Sequence, residues 1–277
     1  DGRQICVVPL YGGRPSLIDL ATREGTYFPI GGDISAVAFA EATIWAGTRD
    51  GIVEREGGNQ RLMLTDQELP SPDIRALLAD GDLLYIGTAA GLMIFNRADE
   101  SSTQVDAFNG TIVSELVRAP DGSIWIGAHR ENDVGFGMVG QLNDGEWRFW
   151  RQGDLPSVED AAEVYDIAVD TDGTIWLATN QYDAGIYRFD GESWQGWPER
   201  LRAPVGDITA FSARGPVMVA GGMLGSRLAL HIAGRWVLRE VPPITGDILD
   251  LYTAPDESLW VATDDGLVRL EPRFVRE

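Results

Sequence analysis

The sequence predicts an all-β fold, a β-propeller of about seven four-stranded blades, formed as a single domain over residues 1–277. Three observations predict it. A phrase of about 40 residues recurs along the chain. Asp-Gly turns separate short apolar stretches, and the 277 residues include 33 Gly and 14 Pro. Together these features indicate many short strands joined by tight turns, in a chain long enough to bury its own core.

The first element is an incomplete blade over residues 1–32. The stretches Ile5–Leu10, Leu17–Ala21 and Thr26–Ile30 have the pattern of the second, third and fourth strands of a blade. A stretch with the pattern of an inner strand is missing here. The sequence therefore predicts seven blades, and the alternative is six blades plus a closing N-terminal strand.

Residues 33–277 contain six recognisable repeats of the phrase. Each repeat has an alternating apolar strand, a tight turn, Ile-Trp or an equivalent pair, a small residue, Thr, a loop, then Gly and a second apolar strand. We expect the recurring Trp of this phrase to lie in the core between blades. The repeats are Ile34–Ile52, Ile74–Leu92, Val113–Gly140, Val164–Ile186, Ile208–Leu228 and Ile248–Leu267.

The fourth repeat shows the four strands of one blade most clearly. A unit of this size cannot bury both of its faces alone, so the units must stack, and radial closure removes exposed sheet edges. This reasoning favours a propeller over an open solenoid. At the C-terminus, Phe274–Arg276 is predicted to form an outer strand of the last blade or to pair with the first. The strands of the fourth repeat are predicted at Val164–Val169, Thr174–Ala178, Gly185–Phe189 and Ser193–Trp197.

The segments Ile167–Thr179 and Asp121–Gly127 carry the pattern D-x-D-G-x-I-W followed by a hydrophobic residue, a small residue and Thr, or part of that pattern. This resembles the repeat of the two-component regulator propeller family over roughly residues 33 to 271. The match is weaker around Tyr85 and Met218, where the Trp is replaced. The resemblance implies a ligand-sensing propeller, and members of that family are mostly extracytoplasmic. We therefore expect a periplasmic or extracellular location.

Charge and composition exclude several classes of partner. The formal net charge is -21 and the isoelectric point is near 4.3, which disfavours binding to nucleic acid or to an anionic membrane surface. No apolar run is long enough for direct membrane insertion. None of the 22 basic residues is lysine, so every basic group is a planar guanidinium suited to bidentate recognition. Cys6 is the single cysteine, which excludes an internal disulfide.

We expect no cofactor. The segment Gly135–Gly140 matches G-x-G-x-x-G, but a strand and a hairpin follow it instead of the helix that dinucleotide binding requires. Asp170–Gly173 and Asp264–Gly266 offer carboxylates that would suit calcium, which needs six to eight oxygen ligands. Capping of tight turns is the preferred interpretation for both segments, and calcium binding is the alternative.

The sequence favours a non-enzymatic protein. Two histidines are present, and no Ser-His-Asp order or zinc motif can be assembled from them. His231 lies in an apolar strand. His129 opens a loop rich in charged residues, and it is the one histidine with possible partners for catalysis. A propeller lyase or hydrolase, similar to the streptogramin-inactivating lyases, is therefore an alternative that requires His129 to share a pocket with Glu131 or a metal-binding carboxylate.

The loops between second and third strands, with those that enter the inner strands, are expected to gather on one face of a propeller. The repeats differ most at these loops, which is typical of functional loops on a rigid frame. Arg14, Arg49, Arg130 and Arg227 would supply bidentate donors, and Tyr182 an aromatic contact. The predicted binding residues are Arg14, Arg49, Asp50, His129, Arg130, Glu131, Asp133, Tyr182, Asp183, Arg227 and Asp264.

The sequence thus predicts a recognition or sensor propeller that binds a small molecule, a glycan or a peptide on the loop-rich face. The alternative is a structural or scaffolding subunit that docks a protein partner there. Nucleic acid is excluded as a partner by charge. The composition does not distinguish among the possible ligands.

Overall fold

The computed structural model describes residues 4–8, 15–28, 30, 33–40, 42–130, 137–151, 153–155, 163–180, 186–196, 208–214, 217–222, 227–232, 235–240 and 246–273. These residues form seven antiparallel sheets, five of four strands and two of three. In every sheet the strands pair in chain order. The predicted all-β propeller is confirmed. The blade number and the single-domain interpretation stay predictions, because the chain clusters into two compact units, Asp1–Leu116 and Val117–Glu277.

The first unit holds three complete sheets. The N-terminal sheet has three strands, in agreement with the predicted incomplete blade, and it is followed by two four-stranded sheets. One short 3-10 helix, Asp106–Phe108, follows the third sheet. The strands are β1 Gln4–Val7, β2 Ser16–Asp19, β3 Gly25–Tyr27, β4 Ile34–Ala40, β5 Thr43–Thr48, β6 Gly51–Glu56, β7 Asn59–Thr65, β8 Ile74–Asp80, β9 Leu83–Thr88, β10 Gly91–Asn96 and β11 Ser101–Gln104.

The boundary between the units falls inside the first strand of the fourth sheet, β12. The second unit contains the rest of that sheet and the three sheets after it. The predicted outer strand Phe274–Arg276 lies outside the described residues. The strands are β12 Ile112–Arg118, β13 Ile124–His129, β14 Gly137–Asn143, β15 Glu146–Arg151, β16 Glu163–Val169, β17 Ile175–Asn180, β18 Ile186–Phe189, β19 Trp194–Gly196, β20 Ile208–Arg214, β21 Val217–Gly222, β22 Arg227–Ile232, β23 Arg235–Glu240, β24 Ile248–Thr253, β25 Leu259–Thr263 and β26 Gly266–Leu270.

The strands of the fourth repeat confirm the prediction to within two residues, as β16 to β19. Gly137, in the G-x-G-x-x-G segment, begins strand β14 and not a helix. The four tryptophans of the repeated phrase, Trp45, Trp125, Trp176 and Trp260, are buried as predicted. No helix in the described part of the chain combines the length and the apolar character needed to cross a bilayer.

Small residues in the second strand of each sheet let the next sheet approach closely. A Cβ atom added at Gly47 would lie 2.7 Å from Cγ2 of Ile74 on the neighbouring inner strand β8. One added at Gly87 would lie 2.7 Å from the carbonyl oxygen of Val113. Contacts this short do not occur for real Cβ atoms. The small residue of the phrase therefore sets the spacing between neighbouring sheets.

Aromatic side chains fill the space between the fourth and fifth sheets. The rings of Trp125 and Trp150 stack with centroids 5.2 Å apart and an interplanar angle of 9°. Trp194 meets both rings edge-on, and Phe189 completes the cluster. This packing accounts for Trp150 and Trp194 as core residues, so neither is available to stack on a sugar.

Among the described residues of the first unit, one charged side chain is buried. The Glu54 side chain is 6% exposed, and its carboxylate lies 2.6 Å from Nε of Arg61 and 3.0 Å from Nε of Arg97. The Arg97 guanidinium also lies over the Trp45 ring, 5.0 Å from its centroid. A buried carboxylate is tolerated only when it is paired and hydrogen-bonded. Glu54 satisfies this condition by linking two neighbouring sheets.

Because Glu54 is buried and paired, removing its charge should cost much more stability than removing the charge of the nearby, exposed Glu56. Glu54→Gln is expected to lower the free energy of unfolding by about 3 kcal/mol, because two guanidinium groups lose their buried partner. Glu56→Gln is the matched control, since its side chain is 66% exposed and 3.9 Å from Arg97, and it should change stability by less than about 0.5 kcal/mol. Urea unfolding of both variants measures this. Equal effects would contradict a special role for Glu54.

The glycine that begins the third strand of the second sheet, Gly51, gives a second stability prediction. Gly51 has φ +123, and an added Cβ would lie 2.0 Å from the carbonyl oxygen of Leu64. Gly51→Ala should therefore cost about 3 kcal/mol or more, through both strain and a clash with backbone. Gly58→Ala is the control, because nothing lies within 4 Å of a Cβ there. Thermal unfolding should show a marked loss for Gly51→Ala alone, and similar melting temperatures would refute the steric argument.

Candidate functional site

In the second, third and last sheets, the second and third strands are connected by the same turn, which is fixed by the Thr of the repeated phrase. In these three turns the Thr hydroxyl donates to the carbonyl oxygen of the Gly three residues later. The same hydroxyl accepts the amide N–H of the residue two positions ahead. The donor-acceptor distances are 3.0 Å for Thr48 and Gly51, 2.9 Å for Thr88 and Gly91, and 3.1 Å for Thr263 and Gly266.

The two residues in the middle of this turn differ from one repeat to another. They are Arg49-Asp50 in the second sheet, Ala89-Ala90 in the third and Asp264-Asp265 in the last. The Arg49 side chain is 88% exposed. Because the backbone of the turn depends on the flanking Thr and Gly, the middle side chains are free to vary without loss of the turn. The turn is thus a fixed platform that presents variable side chains.

The turns between first and second strands have a different, constant role. Asp121, Asp172 and Asp256 each accept the amide N–H of the residue two positions later, at 2.9–3.0 Å. Hydrogen bonds from Thr174 lower the pKa of Asp172, and the hydroxyl of Ser258 is the main cause of the lowered pKa of Asp256. This geometry matches the turn-capping interpretation of the Asp-Gly motif. Within the described ranges, no three His, Cys, Asp or Glu side chains form a potential metal site.

The structure describes six of the predicted binding residues, in two separate units. Arg49 and Asp50 are exposed in the first unit, where Arg49 lies 3.8 Å from Asp33. In the second unit, His129 ends β13 and Arg130 follows it. A single binding surface for these residues stays a prediction. Arg14, Glu131, Asp133, Tyr182 and Asp183 lie outside the described residues.

Two of the predicted residues have structural partners in the second unit. The Arg227 guanidinium lies 3.3 Å from the Glu240 carboxylate on the neighbouring strand β23. The Asp264 carboxylate accepts the amide N–H of Asp247 at 2.9 Å, so it holds the segment that enters β24. Arg227 is 38% exposed and retains donors for a ligand, whereas part of the Asp264 carboxylate is used within the fold.

A pair of acidic residues on inner strands was not anticipated from the sequence. Asp166 on β16 and Asp250 on β24 each follow a register shift in their strand. An Asp166 oxygen accepts the amide N–H of Phe211 on β20, the inner strand between them. Asp250 accepts the amide N–H of Leu251 at 2.7 Å. Asp166 is half-buried and Asp250 is exposed.

The environment of this pair favours the protonated state of both carboxyl groups. Burial, followed by the nearby charge of Asp250, raises the pKa of Asp166 to about 7. Burial also raises the pKa of Asp250. The hydrogen bond from Phe211 opposes the shift at Asp166 without cancelling it. A carboxyl group with a pKa near neutrality can donate or accept a proton at physiological pH.

Asp166 and Asp250 could have been recognised by comparing the residues that occupy the same position in each repeat. The residue after the register shift is Ala36 in β4, Ala76 in β8 and Ala210 in β20. Asp166 and Asp250 occupy the same position in β16 and β24. In the third repeat, which begins at Val113, Glu115 falls at this position, so three repeats have Ala here and three have an acid. An acidic residue where a methyl group satisfies the packing marks a candidate functional position.

The comparisons with known proteins support the family resemblance. Residues 159–181 match the family described as the two component regulator propeller. No curated protein sequence matches the chain. The family resemblance predicted from Ile167–Thr179 is thereby confirmed at the repeat that contains Asp166.

Solved structures share the fold at low sequence identity. A streptogramin B lyase aligns with a TM-score of 0.75 at 14% identity, over 96% of this chain and 89% of that one. YCF48 bound to a D1 peptide aligns with a TM-score of 0.70 at 15% identity, over 98% and 90%. The extracellular domain of a putative one-component system from B. thetaiotaomicron gives 0.67 at 16% identity, over 96% of this chain and 38% of that one. At these identities the likeness shows the fold alone.

The turn geometry predicts that the Thr hydroxyl is needed to hold the platform. Thr88→Val keeps the shape but removes both hydrogen bonds of a fully buried hydroxyl, so it should lower the unfolding free energy by about 2 kcal/mol. Thr103→Val, at an exposed position of strand β11, should change it by less than about 0.5 kcal/mol. Urea unfolding at one pH compares the two variants. A neutral Thr88→Val would show that the turn does not depend on this hydroxyl.

Proposed function

We propose that this propeller, which carries the two-component regulator repeat, recognises a ligand without transforming it. The ligand is a small molecule, a glycan or a peptide, bound on the face formed by the loops between second and third strands. The observation that carries the proposal is the turn with a constant Thr and Gly and variable middle residues. A frame that fixes the backbone and leaves the side chains free is suited to recognition.

Exposed arginines in the connections between second and third strands supply the chemistry of recognition. Arg49 and Arg130 offer planar guanidinium groups that bind carboxylates or hydroxyls through two parallel hydrogen bonds. The net charge of -21 attracts cationic ligands, repels polyanions and exerts no net attraction or repulsion on neutral ones. We therefore favour a zwitterionic or neutral ligand that presents an oxygen-rich group to arginine, such as a peptide or a glycan.

The solved neighbours are consistent with this proposal. One is the extracellular domain of a putative one-component system, and another was solved with a bound peptide. We extend both properties to this chain as part of the proposal, which places it in the periplasm or outside the cell. The fold supports such a role, since propellers are frequent recognition modules.

A lyase or hydrolase is the second candidate, and the pair Asp166 and Asp250 favours it. Two carboxyl groups with raised pKa values can act as a general acid and a general base. The likeness to a streptogramin B lyase adds only the fold. Recognition remains the preferred function because the side chains that vary between repeats lie in the connections between second and third strands. Asp166 and Asp250 lie on first strands, at a different position of the repeat.

Ligand-dependent stability tests the proposed function. Thermal unfolding is measured with a panel of oligosaccharides, short peptides and small carboxylates, where a ligand at 100 times its Kd should add about 2.7 kcal/mol of stability. Arg49→Ala or Arg130→Ala should weaken that ligand about tenfold or more. Arg23→Ala is the control and should leave the affinity unchanged. Arg23 is exposed in the connection between β2 and β3, which the sequence predicts as the third and fourth strands of a blade, so it lies outside the connections of the proposed site.

Mass spectrometry of the ligand after incubation separates recognition from catalysis. Recognition predicts that the ligand is recovered intact, and a cleaved product would favour the lyase or hydrolase. A panel without any shift would contradict the small-ligand proposal. Binding that survives both arginine substitutions would place the site elsewhere.

A further inference from the structure

The last sheet has an open outer edge in the described part of the chain. Its three strands pair in the order β24-β25-β26, whereas the sheet before it has a fourth strand, β23, beside its third strand. An outer strand carries a row of backbone N–H and C=O groups that face away from its own sheet. Strand β26 therefore offers the outer edge of Gly266–Leu270 to an added strand.

The exposure of Val237 shows that the face beside this edge is only partly covered. Val237 on β23 lies opposite Leu230, so the two side chains share one face of their sheet. Leu230 is buried in the cluster that joins this sheet to the last one, but Val237 is 39% exposed. Leu64 of β7 and Trp150 of β15 also lie on outer strands and face a sheet of four strands, and they are 4% and 7% exposed. An outer-strand residue is thus buried where the next sheet has its fourth strand.

A second residue on the same face, Arg239, has no acceptor among the described residues. Arg239 lies opposite Leu228, which belongs to the same buried cluster. Arg239 is half-buried, and its Nε is buried without a hydrogen-bond partner. By contrast, each of Arg61, Arg97 and Arg269 pairs with a carboxylate. A half-buried guanidinium without a carboxylate, in a chain with 43 Asp and Glu, is suited to an acid supplied by another molecule.

These features define the chemistry of the occupant. The edge of β26 requires an extended peptide backbone, because only a strand matches the spacing of its N–H and C=O groups. Val237 favours an apolar side chain on that strand, and Arg239 favours a carboxylate. Val237 and Arg239 are two residues apart on one strand, so the side chains that meet them should also be two residues apart. A strand antiparallel to β26 would run as β23 runs beside β22, which places the apolar residue first.

We propose that the outer edge of β26 binds an extended segment of a partner protein by strand addition. The segment carries an apolar residue against Val237 and, two positions later, an acidic residue against Arg239. It becomes the fourth strand of the last sheet. The net charge of -21 favours basic residues elsewhere in the segment. This contact uses outer strands and not the connections between second and third strands, so it is independent of the recognition function proposed above.

Fluorescence anisotropy with a labelled peptide tests the proposal on the full chain. The probe is fluorescein-Lys-Thr-Val-Thr-Val-Thr-Glu-Thr-Lys-amide, in which both Val residues and the Glu lie on one face of an extended strand. Its binding should slow the hydrogen exchange of Gly266–Leu270 at least about fivefold and leave β11, an outer strand of the first unit, unchanged. The same peptide methylated at its backbone nitrogens should not bind, because it cannot donate hydrogen bonds to β26.

Substitutions at the two contact residues make the test specific. Arg239→Gln should weaken the Glu peptide about tenfold, and it should leave unchanged the weaker binding of a peptide with Gln in place of Glu. Val237→Ser should weaken both peptides to the same extent. Arg151→Gln, at an exposed position of the outer strand β15, is the matched control and should change neither affinity.

Several outcomes would overturn the proposal. One is the absence of binding, and another is an equal effect of Arg239→Gln on the Glu and Gln peptides. Binding that appears only after removal of residues 274–277 would show that this segment occupies the edge in place of a partner. Binding that is lost in Arg49→Ala and kept in Arg239→Gln would assign the peptide to the connections between second and third strands.

Discussion

The structure depends on the close approach of neighbouring sheets. The described sheets bury apolar side chains against their neighbours, so a single sheet would expose a large apolar surface on its own. Gly47 and Gly87 permit that approach, since an added Cβ would meet the next inner strand at 2.7 Å. Large side chains such as Trp45, with no exposed surface, then fill the wider part of the same interface. The small residue and the tryptophan of the repeated phrase therefore serve the same interface. The small residue allows the sheets to approach, and the tryptophan fills the space that remains.

Polar groups enter these interfaces only where a partner is provided. Glu54 is paired by two arginines, and the Thr of each turn bonds within its own connection. The absence of lysine from the sequence suits this arrangement, because a guanidinium can pair with a carboxylate and lie flat on an aromatic ring at once, as Arg97 does over Trp45. The interface between the second and third sheets thus contains both apolar core residues and the paired charges of Glu54 and Arg97.

The fold could be predicted from the sequence because the repeat shows each packing requirement several times. Strand bounds, the buried tryptophans and the Asp-Gly turns were all predicted, since each follows from local chemistry that recurs. The candidate site could be predicted only in part. Side chains such as Arg49 lie on a recurring turn and could be placed on it, but their partners depend on distances between loops that no repeat encodes. Arg227, for example, pairs with Glu240, a contact set by the register of two strands.

Asp166 and Asp250 escaped prediction for a different reason. Acidic residues are common in this chain, with 43 Asp and Glu, so one in a strand gives no signal alone. Its meaning depends on the register shift that aligns it with Ala36, Ala76 and Ala210. A scaffold stabilised by many repeated interfaces can tolerate a locally unfavourable residue, because the rest of the core maintains the fold. Regular packing of the repeated interfaces therefore permits acidic residues on the inner strands β16 and β24, at a position where β4, β8 and β20 have Ala.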